Sequence, residues 1–414
     1  MMTIRFAATL VVAVFGAAAG AFGQAIPCVD GMAGIYPCSN VTLMSHLSSA
    51  ELGTAAASDN WGWEDPQTGV EYALVAANEG TIFVSLADPE APVVVGTLPA
   101  HNGLATFIRD VKVYADHAFV TADTSGHGMQ VFDLSQLRDV VTPPVIFAET
   151  AHYNGISDAH NIAINPETGF AYPVSDDTCS GGLHMIDVST PTLPVFAGCY
   201  SEAGNIHDAV CQVYNGPDVA HQGQEICVAA DLTGLVAIVD VTDKLNPVTL
   251  SSTPYPGASI SHQGWTTEDQ RYYIHGDEGD EQNGTNTKTY VFDIQDLDDP
   301  SLAGTYTATT FATDHNQYVR GNHVFQGNYR AGFRVLEMGD LSVGELTEVA
   351  FLDTRPTSDS NNFSGAWTTF PFFDSGLVIV TDTGEGLFVI RPELDLFADG
   401  FESGDTSAWS STVP

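Results

Sequence analysis

Four histidines recur at the same place in a repeated stretch of the sequence, and each is followed by a polar residue. They are His160, His207, His262 and His315. If the fold arranges these repeats around one axis, the four imidazoles converge, and imidazole nitrogens are good ligands for first-row transition metals. The sequence therefore predicts a candidate site for zinc, copper, iron or manganese.

Further polar residues are placed to line the same channel. Arg109 and Asp110 open the preceding repeat, while Asp158, Asp208 and Asp314 lie close to histidines along the chain. A carboxylate can orient a metal-binding imidazole through its second ring nitrogen, and we expect this role for the three aspartates. Two other interpretations stay open: each histidine can bond a carbonyl of a neighbouring blade, or the ring can hold only water. The sequence assigns no catalytic residue.

A second candidate site is the acidic segment containing Asp277, Glu278, Asp280 and Glu281. Carboxylate oxygens are ligands that calcium prefers, so calcium binding outside the cell is one interpretation. The segment lacks EF-hand spacing, and in so acidic a chain it can equally be solvated surface. The sequence also lacks a serine nucleophile elbow, a phosphate-binding loop and a zinc-protease motif.

The elements that must position these residues form a repeat of roughly 50 residues. Each copy contains an apolar run that ends at an anchor residue, and the anchors are Ser85, Asp133, Asp187, Asp240, Asp293, Glu337 and Arg391. Successive anchors are 48, 54, 53, 53, 44 and 54 residues apart. Further apolar runs and turn signals indicate four strands in each copy. We therefore predict an all-β, seven-bladed β-propeller with four antiparallel strands per blade, whose first strands line the channel.

The ring has to close, because an open blade would expose an unpaired strand edge. The seventh copy ends at Arg391 without a fourth strand, and the β-like segment Val41–Leu47 precedes the first copy. We predict that this N-terminal strand completes the last blade.

Six cysteines indicate an oxidising compartment. They are Cys28, Cys38, Cys179, Cys199, Cys211 and Cys227. Fifteen pairings are possible. Local pairing of each cysteine with its neighbour is favoured, because each pair falls within one apparent structural unit, and the first pair would brace the closing strand.

The charge and the two ends of the chain define the setting. The protein has 52 Asp and Glu against 12 Lys and Arg, a formal charge of −40, which argues against nucleic acid or an anionic membrane as partner. Residues 1–25 have the basic start, apolar stretch and small-residue end of a signal peptide. We predict a propeller domain over residues 26–392 and a polar tail over 393–414, in a monomer that is secreted or held at the cell surface, with no direct membrane span.

The core of the fourth copy, Leu235-Val-Ala-Ile-Val-Asp240, is similar to the LVIVD repeat. Other segments carry a wider pattern, among them Tyr36-Pro-Cys38, Asn60-Trp-Gly-Trp-Glu-Asp65, Arg109-Asp-Val-Lys-Val-Tyr114 and His262-Gln-Gly-Trp265. This pattern resembles the choice-of-anchor B family of exported bacterial proteins. The resemblance implies a secreted or surface-displayed propeller and brings no established activity.

Two functions of different classes follow as expectations. The first is a binding module that recognises a surface protein or a glycan of unknown identity. The alternative is a metal-dependent enzyme, an oxidoreductase or a lyase, that uses the histidine ring at the propeller axis.

Overall fold

The computed structural model describes residues 24–394 and contains seven sheets that form the blades of a β-propeller. The first strand of each blade contacts the first strands of both neighbours, and that of the seventh blade contacts that of the first. The first strands therefore surround a central channel. The predicted seven-bladed, all-β architecture is confirmed.

Each blade has four main strands, which follow one another in the sequence in blades 1 to 6, whereas the fourth strand of blade 7 comes from the N-terminal segment. Blade 1 comprises Ala57–Glu64, Glu71–Ala77, Gly80–Ser85 and Val93–Pro99. Blade 2 comprises Arg109–Tyr114, His117–Ala122, Met129–Asp133 and Ala151–Tyr153. Blade 3 comprises Asn161–Asn165, Phe170–Val174, Leu183–Asp187 and Val195–Tyr200. Blades 4 and 5 comprise Ile206–Val213, Glu225–Asp231, Leu235–Asp240 and Val248–Pro254; and Ser261–Thr266, Tyr272–Asp277, Lys288–Asp293 and Ser301–Thr307. Blades 6 and 7 comprise Gln317–Arg320, His323–Asn328, Gly332–Met338 and Leu346–Leu352; and Ala366–Phe370, Val378–Asp382, Gly386–Pro392 and Val41–Leu47.

The remaining elements are short and lie at blade edges or in connections. Four short strands, Ile26–Pro27, Met32–Ala33, Tyr36–Ser39 and Val145–Ile146, extend the sheets of blades 7, 6 and 1. One α-helical turn spans Ser49–Leu52, and 3-10 turns span His101–Gly103, Leu134–Asp139, Cys179–Gly181, Glu281–Asn283 and Leu341–Val343. Within residues 24–394, no helix is long and apolar enough to cross a membrane.

The hydrophobic core is divided among the blade interfaces. Seven clusters of buried apolar residues exist, and each joins two neighbouring blades. For example, Leu74 of blade 1 packs in one cluster with Val111 of blade 2, and Val210 of blade 4 packs in another cluster with Tyr273 of blade 5. Because both faces of a blade are covered by its neighbours, inner strands such as Glu225–Asp231 are buried at every position. The sequences of these strands are therefore largely continuous apolar runs and do not alternate between apolar and polar residues.

A glycine opens the third strand of several blades because close packing there leaves no room for a side chain. A side chain at Gly80 would place its Cβ 2.1 Å from the carbonyl oxygen of Leu98, and one at Gly386 would lie 2.2 Å from that of Leu47. Both glycines also have positive φ angles, 152° and 102°. The fourth strand therefore approaches the third so closely at this point that only glycine fits.

The ring closes as the sequence predicts. Val41–Leu47 pairs antiparallel with Gly386–Pro392, which places an N-terminal strand at the outer edge of blade 7. Tyr36–Ser39 then pairs with Leu346–Leu352 of blade 6, so the N-terminal segment bridges two blades. Backbone hydrogen bonds therefore hold the closing strand to blade 7, and the chain continues from this strand into blade 1.

The three predicted local disulfides are present. Cys28 is bonded to Cys38 beside the closing strand, and Cys179 to Cys199 within blade 3. Cys211 and Cys227 join opposed positions of the first two strands of blade 4. With all six cysteines paired, the chain fits an oxidising, extracellular environment. The predicted signal peptide and most of the predicted tail lie outside the described residues.

Candidate functional site

The four histidines form a continuous arc at the end of the channel where the first strands begin. The ring centroids of His160 and His207 are 4.5 Å apart, those of His207 and His262 are 4.2 Å apart, and those of His262 and His315 are 4.3 Å apart. Each ring comes from a different blade, so the repeat symmetry brings equivalent positions into contact. The arc ends against Trp367 of blade 7, whose ring is 4.4 Å from His315.

Backbone carbonyls of neighbouring blades orient two of these rings. The Nδ1 atom of His207 donates to the carbonyl oxygen of His262 over 3.1 Å, and that of His315 donates to the carbonyl oxygen of Trp367. A neutral imidazole that donates from Nδ1 carries a lone pair on Nε2. The aspartates expected to orient the rings do not do so at these two positions, because the blade-to-blade carbonyls already occupy Nδ1.

The other two histidines differ from this pattern and from each other. His160 lies 3.2 Å from Oδ2 of Asp123 through its Nδ1 atom and is partly exposed. His262 is 1% exposed, and neither of its ring nitrogens has a hydrogen-bond partner among residues 24–394. A buried polar group without a partner is destabilising, and this distinguishes His262 from the other three histidines of the arc.

Glu278 places a carboxylate beside this arc. Its Oε2 atom is 3.7 Å from Nε2 of His262, and its Oε1 atom is 3.7 Å from Nε2 of His315. The hydroxyl of Tyr329 donates to Oε1 over 2.6 Å and fixes the carboxylate in this position. One ligand atom each from His207, His262 and Glu278 lies within 4.8 Å of the other two, which is close enough for all three to hold one ion.

The burial of the site favours uncharged imidazoles. Burial and neighbouring histidines hold the pKa values of His207 and His262 well below the usual range, and burial lowers the pKa of His315 to about 3. Burial also raises the pKa of Glu278 to about 7. The neutral imidazole is the form that binds metals, so these rings are ready to coordinate at neutral pH.

The other predicted channel residues have mainly structural contacts. Arg109 is buried in blade 2, where it contacts Nε2 of His127 and donates to the carbonyl oxygen of Leu104, away from the arc. Asp110 accepts a hydrogen bond from the backbone of Ile162 and so ties blade 2 to blade 3. Neither residue completes the histidine arc, because both side chains are engaged within or between blades.

The three aspartates expected in the outer shell lie in different environments. Asp158 is half-buried, and partial burial with the nearby carboxylates of Asp177 and Asp123 raises its pKa. Asp208 accepts from the backbone nitrogen of Ala209 and faces a cavity in the channel. Asp314 is buried, and its pKa is raised by burial and then by Glu281. None of the three hydrogen-bonds to a histidine of the arc within the part of the chain that the structure describes.

The acidic segment does not gather its four carboxylates around one point. Asp277 accepts from the hydroxyl of Tyr255 and from the backbone nitrogens of Ile260 and Gly279, whereas Glu278 joins the histidines. Asp280 pairs with Lys288, and Glu281 is fully buried. Calcium binding by all four residues together is therefore not favoured by the geometry.

Sequence reasoning missed several parts of the site. Glu278 was expected only as a calcium ligand, and Tyr329 was not expected in the site at all. A second group that could hold an ion, Asp218, His221 and Asp298, lies on connecting loops and is more exposed than the arc. In each case the residues meet through loops from different parts of the chain, which no repeat position marks in the sequence.

The comparisons with known proteins bear on the fold. No protein-family model and no curated protein matches the sequence. The WD40 repeats of RRP9 align with a TM-score of 0.53 at 9% identity, over 86% of this chain and 99% of that chain. Hydrazine synthase from Kuenenia stuttgartiensis aligns with a TM-score of 0.52 at 12% identity, over 85% of this chain and 99% of that chain. The chain has the fold of WD40-like propellers. At such low identity these likenesses carry no information about activity.

Proposed function

We propose that the protein is an exported metalloprotein that binds one first-row transition-metal ion at the channel mouth. The ligands are His207, His262 and Glu278, with His315 adjacent as a possible fourth. The observation that carries the proposal is His262, a buried imidazole with no hydrogen-bond partner among the described residues, set between two other imidazoles and opposite a carboxylate.

A metal explains this arrangement better than a purely structural ring does. An unpartnered buried donor or acceptor costs about 1–3 kcal/mol, and repeat symmetry alone gives no reason to keep it. His207 and His315 have the interblade hydrogen bond that a structural ring would use, yet this bond leaves each Nε2 free. If His262 bound a metal ion, the cost of its unpartnered nitrogens would be removed, and the Nε2 atom of the neighbouring His207 could bind the same ion.

The ligand set suggests the chemistry that the ion would supply. Two histidines and one carboxylate bind catalytic zinc in hydrolytic enzymes and iron in oxygenases, and in both cases they leave coordination positions open to substrate. Tyr329 would hold the carboxylate in place through its hydrogen bond to Glu278. A metal-dependent enzyme, an oxidoreductase or a lyase, is the activity we favour for this site.

A non-catalytic binding module is the second candidate. It is favoured by the interblade hydrogen bonds of His207 and His315, which show that the arc also helps to hold the blades together. Propellers commonly serve as interaction modules, and the LVIVD-like repeats would place this one among exported choice-of-anchor B proteins. On this proposal the partner is a surface protein or a glycan.

Elemental analysis of the purified protein tests the metal site. The protein is prepared without chelator, supplied with zinc, copper, iron or manganese, and passed through a desalting column. We expect about one ion per chain in the wild type, and a loss of at least tenfold in both His262→Ala and Glu278→Gln. His221→Ala, in the exposed second group, is the matched control and should keep the ion.

Two results would contradict the proposal. If the wild-type protein retains none of the four metals, the histidine arc is structural, and the binding module is the remaining function. If His221→Ala loses the ion while His262→Ala keeps it, the metal belongs to the loop group instead. Circular dichroism of each variant shows whether a loss reflects unfolding.

A further inference from the structure

A cavity of about 460 Å³ lies in the channel, and none of the four histidines of the arc lines it. Its lining comes from first-strand residues that follow the histidines along the chain, such as residues 163–165 in blade 3 and 208–212 in blade 4. Its volume is within the range of about 300–1,000 Å³ that is usual for small-molecule sites. Its residues have no part in the proposed metal site.

One wall of the cavity is built from aromatic rings. Trp61 of blade 1 and Trp265 of blade 5 both contact Tyr318 of blade 6, with ring centroids 5.7 and 5.1 Å away. Phe372 lies 6.2 Å from Trp61 and 5.9 Å from Trp265. Both tryptophans remain half-exposed, although they stand among other aromatic side chains. The wall therefore presents flat apolar surface to whatever enters the cavity.

Blades 3 and 4 contribute several small or slender side chains to the cavity lining. These are Ala163 and Ala209, together with Val210 and the disulfide-bonded Cys211. These small side chains leave a slot beside the aromatic rings. Such a slot fits a molecule with a flat apolar face.

The charged groups at the cavity are Lys112 and the carboxylates of Asp208 and Glu167. Lys112 pairs with Asp110 and lies 3.1 Å from Oδ2 of Asp59. Burial and the neighbouring Asp110 raise the pKa of Asp59 well above its usual range, and Lys112 forms an ion pair with Asp110. Lys112 also lies 4.8 Å from the centroid of the Trp61 ring, where it disfavours a second cation.

Besides the exposed carboxylate of Glu167, two less exposed lining side chains keep hydrogen-bonding capacity that the described residues do not use. Asp208 accepts from the backbone nitrogen of Ala209 through Oδ1, and its Oδ2 atom has no donor in the described part of the chain. Gln212 accepts from the hydroxyl of Thr266 through Oε1, which leaves its amide NH₂ group as a donor. Asp208 and Gln212 thus offer an acceptor and a donor in a cavity that also has an aromatic wall.

We infer that this cavity binds a neutral saccharide. The apolar C–H face of a sugar ring would pack on Trp61 and Trp265, while hydroxyl groups bond to Asp208 and Gln212. An anionic sugar is disfavoured by the formal charge of −40 and by the carboxylates of Asp208 and Glu167 at the cavity, whereas Lys112 already lies against the Trp61 ring where an organic ammonium ion would pack. A purely aromatic ligand would leave Asp208 and Gln212 unsatisfied in the complex.

Titration calorimetry and tryptophan fluorescence test this inference on the whole protein. The probes are glucose, galactose, N-acetylglucosamine and their β-1,4-linked homodisaccharides. We expect at least one to bind saturably with a dissociation constant in the millimolar range or below. Trp265→Ala and Asp208→Asn should each weaken that binding at least tenfold, and Gln212→Ala should weaken it severalfold. Trp63→Phe is the control and should bind as the wild type does, because Trp63 packs on Tyr72 away from the cavity.

The outcomes separate this site from the metal site. Saccharide binding that persists after treatment with a chelator supports the inference even if the metal proposal fails. If none of the sugars binds, or if tetramethylammonium or indole binds where the sugars do not, the inference is wrong. Should Trp265→Ala not fold, Asp208→Asn and Gln212→Ala decide the result, since both replacements keep the apolar walls intact.

Discussion

At the scale of single residues, one repeated position serves two purposes. The histidines of blades 4 and 6 use Nδ1 to bond the next blade, so they are structural on one side of the ring. The histidine of blade 5 has no such bond among the described residues, and its Nε2 atom lies 3.7 Å from Oε2 of Glu278. Equivalent positions in repeats therefore need not have equivalent roles, because the neighbours of each copy differ.

Buried histidines outside the arc make the stability of the protein sensitive to acid. His127 is fully buried, donates from Nδ1 to the carbonyl oxygen of Gly128, and contacts Arg109 through Nε2. Burial, followed by the charge of Arg109, lowers the pKa of His127 to about 4. Protonation of Nε2 would place a second positive charge against the guanidinium group.

We predict that His127→Gln weakens the acid sensitivity of folding. Below pH 6.5 or so the unfolded chain binds a proton at this residue, while the folded chain does not until about pH 4. The free energy of unfolding of the wild type therefore falls as the pH drops through this window, and this residue accounts for at most on the order of 3 kcal/mol. Urea unfolding at several pH values should give a shallower slope for the variant between pH 6.5 and 4. Parallel slopes would show that His127 does not set the dependence.

At the scale of elements, the stability of each blade depends on its neighbours. Every apolar cluster spans a blade interface, and the interface between blades 7 and 1 contains Met44 and Leu47 from the closing strand. Val41 and Leu43 of the same strand pack between blades 6 and 7. The N-terminal strand thus contributes to two interfaces as well as to the sheet of blade 7.

We predict that deletion of residues 41–47 destabilises the whole ring. The loss of four buried apolar side chains, Val41, Leu43, Met44 and Leu47, removes roughly 6 kcal/mol or more of burial free energy. Thermal melting followed by circular dichroism should show a midpoint lower by about 10 °C or more, in a single transition or with lost cooperativity.

A control addresses the outer edge of a blade. Replacing Val145 and Ile146, which add a two-residue parallel strand outside blade 1, by serine should shift the midpoint little, because this strand is largely exposed. An unchanged midpoint after deletion of residues 41–47 would mean that the ring does not depend on its closing strand.

At the scale of the whole molecule, the dominant electrostatic feature is the acidic excess. With a formal charge of −40, carboxylates repel one another across much of the surface. The few basic residues are largely engaged with acids: Arg138 contacts Asp65, Arg355 contacts Asp382, and Lys244 contacts Glu225. Repulsion therefore remains mostly uncompensated at low ionic strength.

We predict that added salt stabilises the protein without a specific effect of calcium. Raising sodium chloride from about 10 to 150 mM shortens the Debye length from about 30 to 8 Å and should raise the melting temperature by several degrees. Calcium and magnesium chloride at equal concentration should give similar shifts, since the acidic segment does not gather its carboxylates at one point. A larger shift with calcium that Glu281→Gln abolishes would restore the calcium interpretation.

Much of the fold and part of the site were predictable from the sequence alone. The seven anchors fix the number of blades, and the missing last strand identifies Val41–Leu47 as the closing strand. Local spacing likewise favours the three disulfides that the structure contains. The meeting of His160, His207, His262 and His315 also follows from the repeat, because a closed ring carries equivalent positions to one axis.

Only the tertiary structure decided which groups surround that axis. Glu278 belongs to a connecting loop, and the side on which its carboxylate lies depends on the path of that loop and on Tyr329 from the next blade. Trp61 and Trp265 face the cavity, whereas Trp63 packs on Tyr72, and the alternation of side chains along a strand does not reveal which face is the channel. Repeats encode positions through local periodicity, whereas these contacts arise from packing between segments that are distant in the chain.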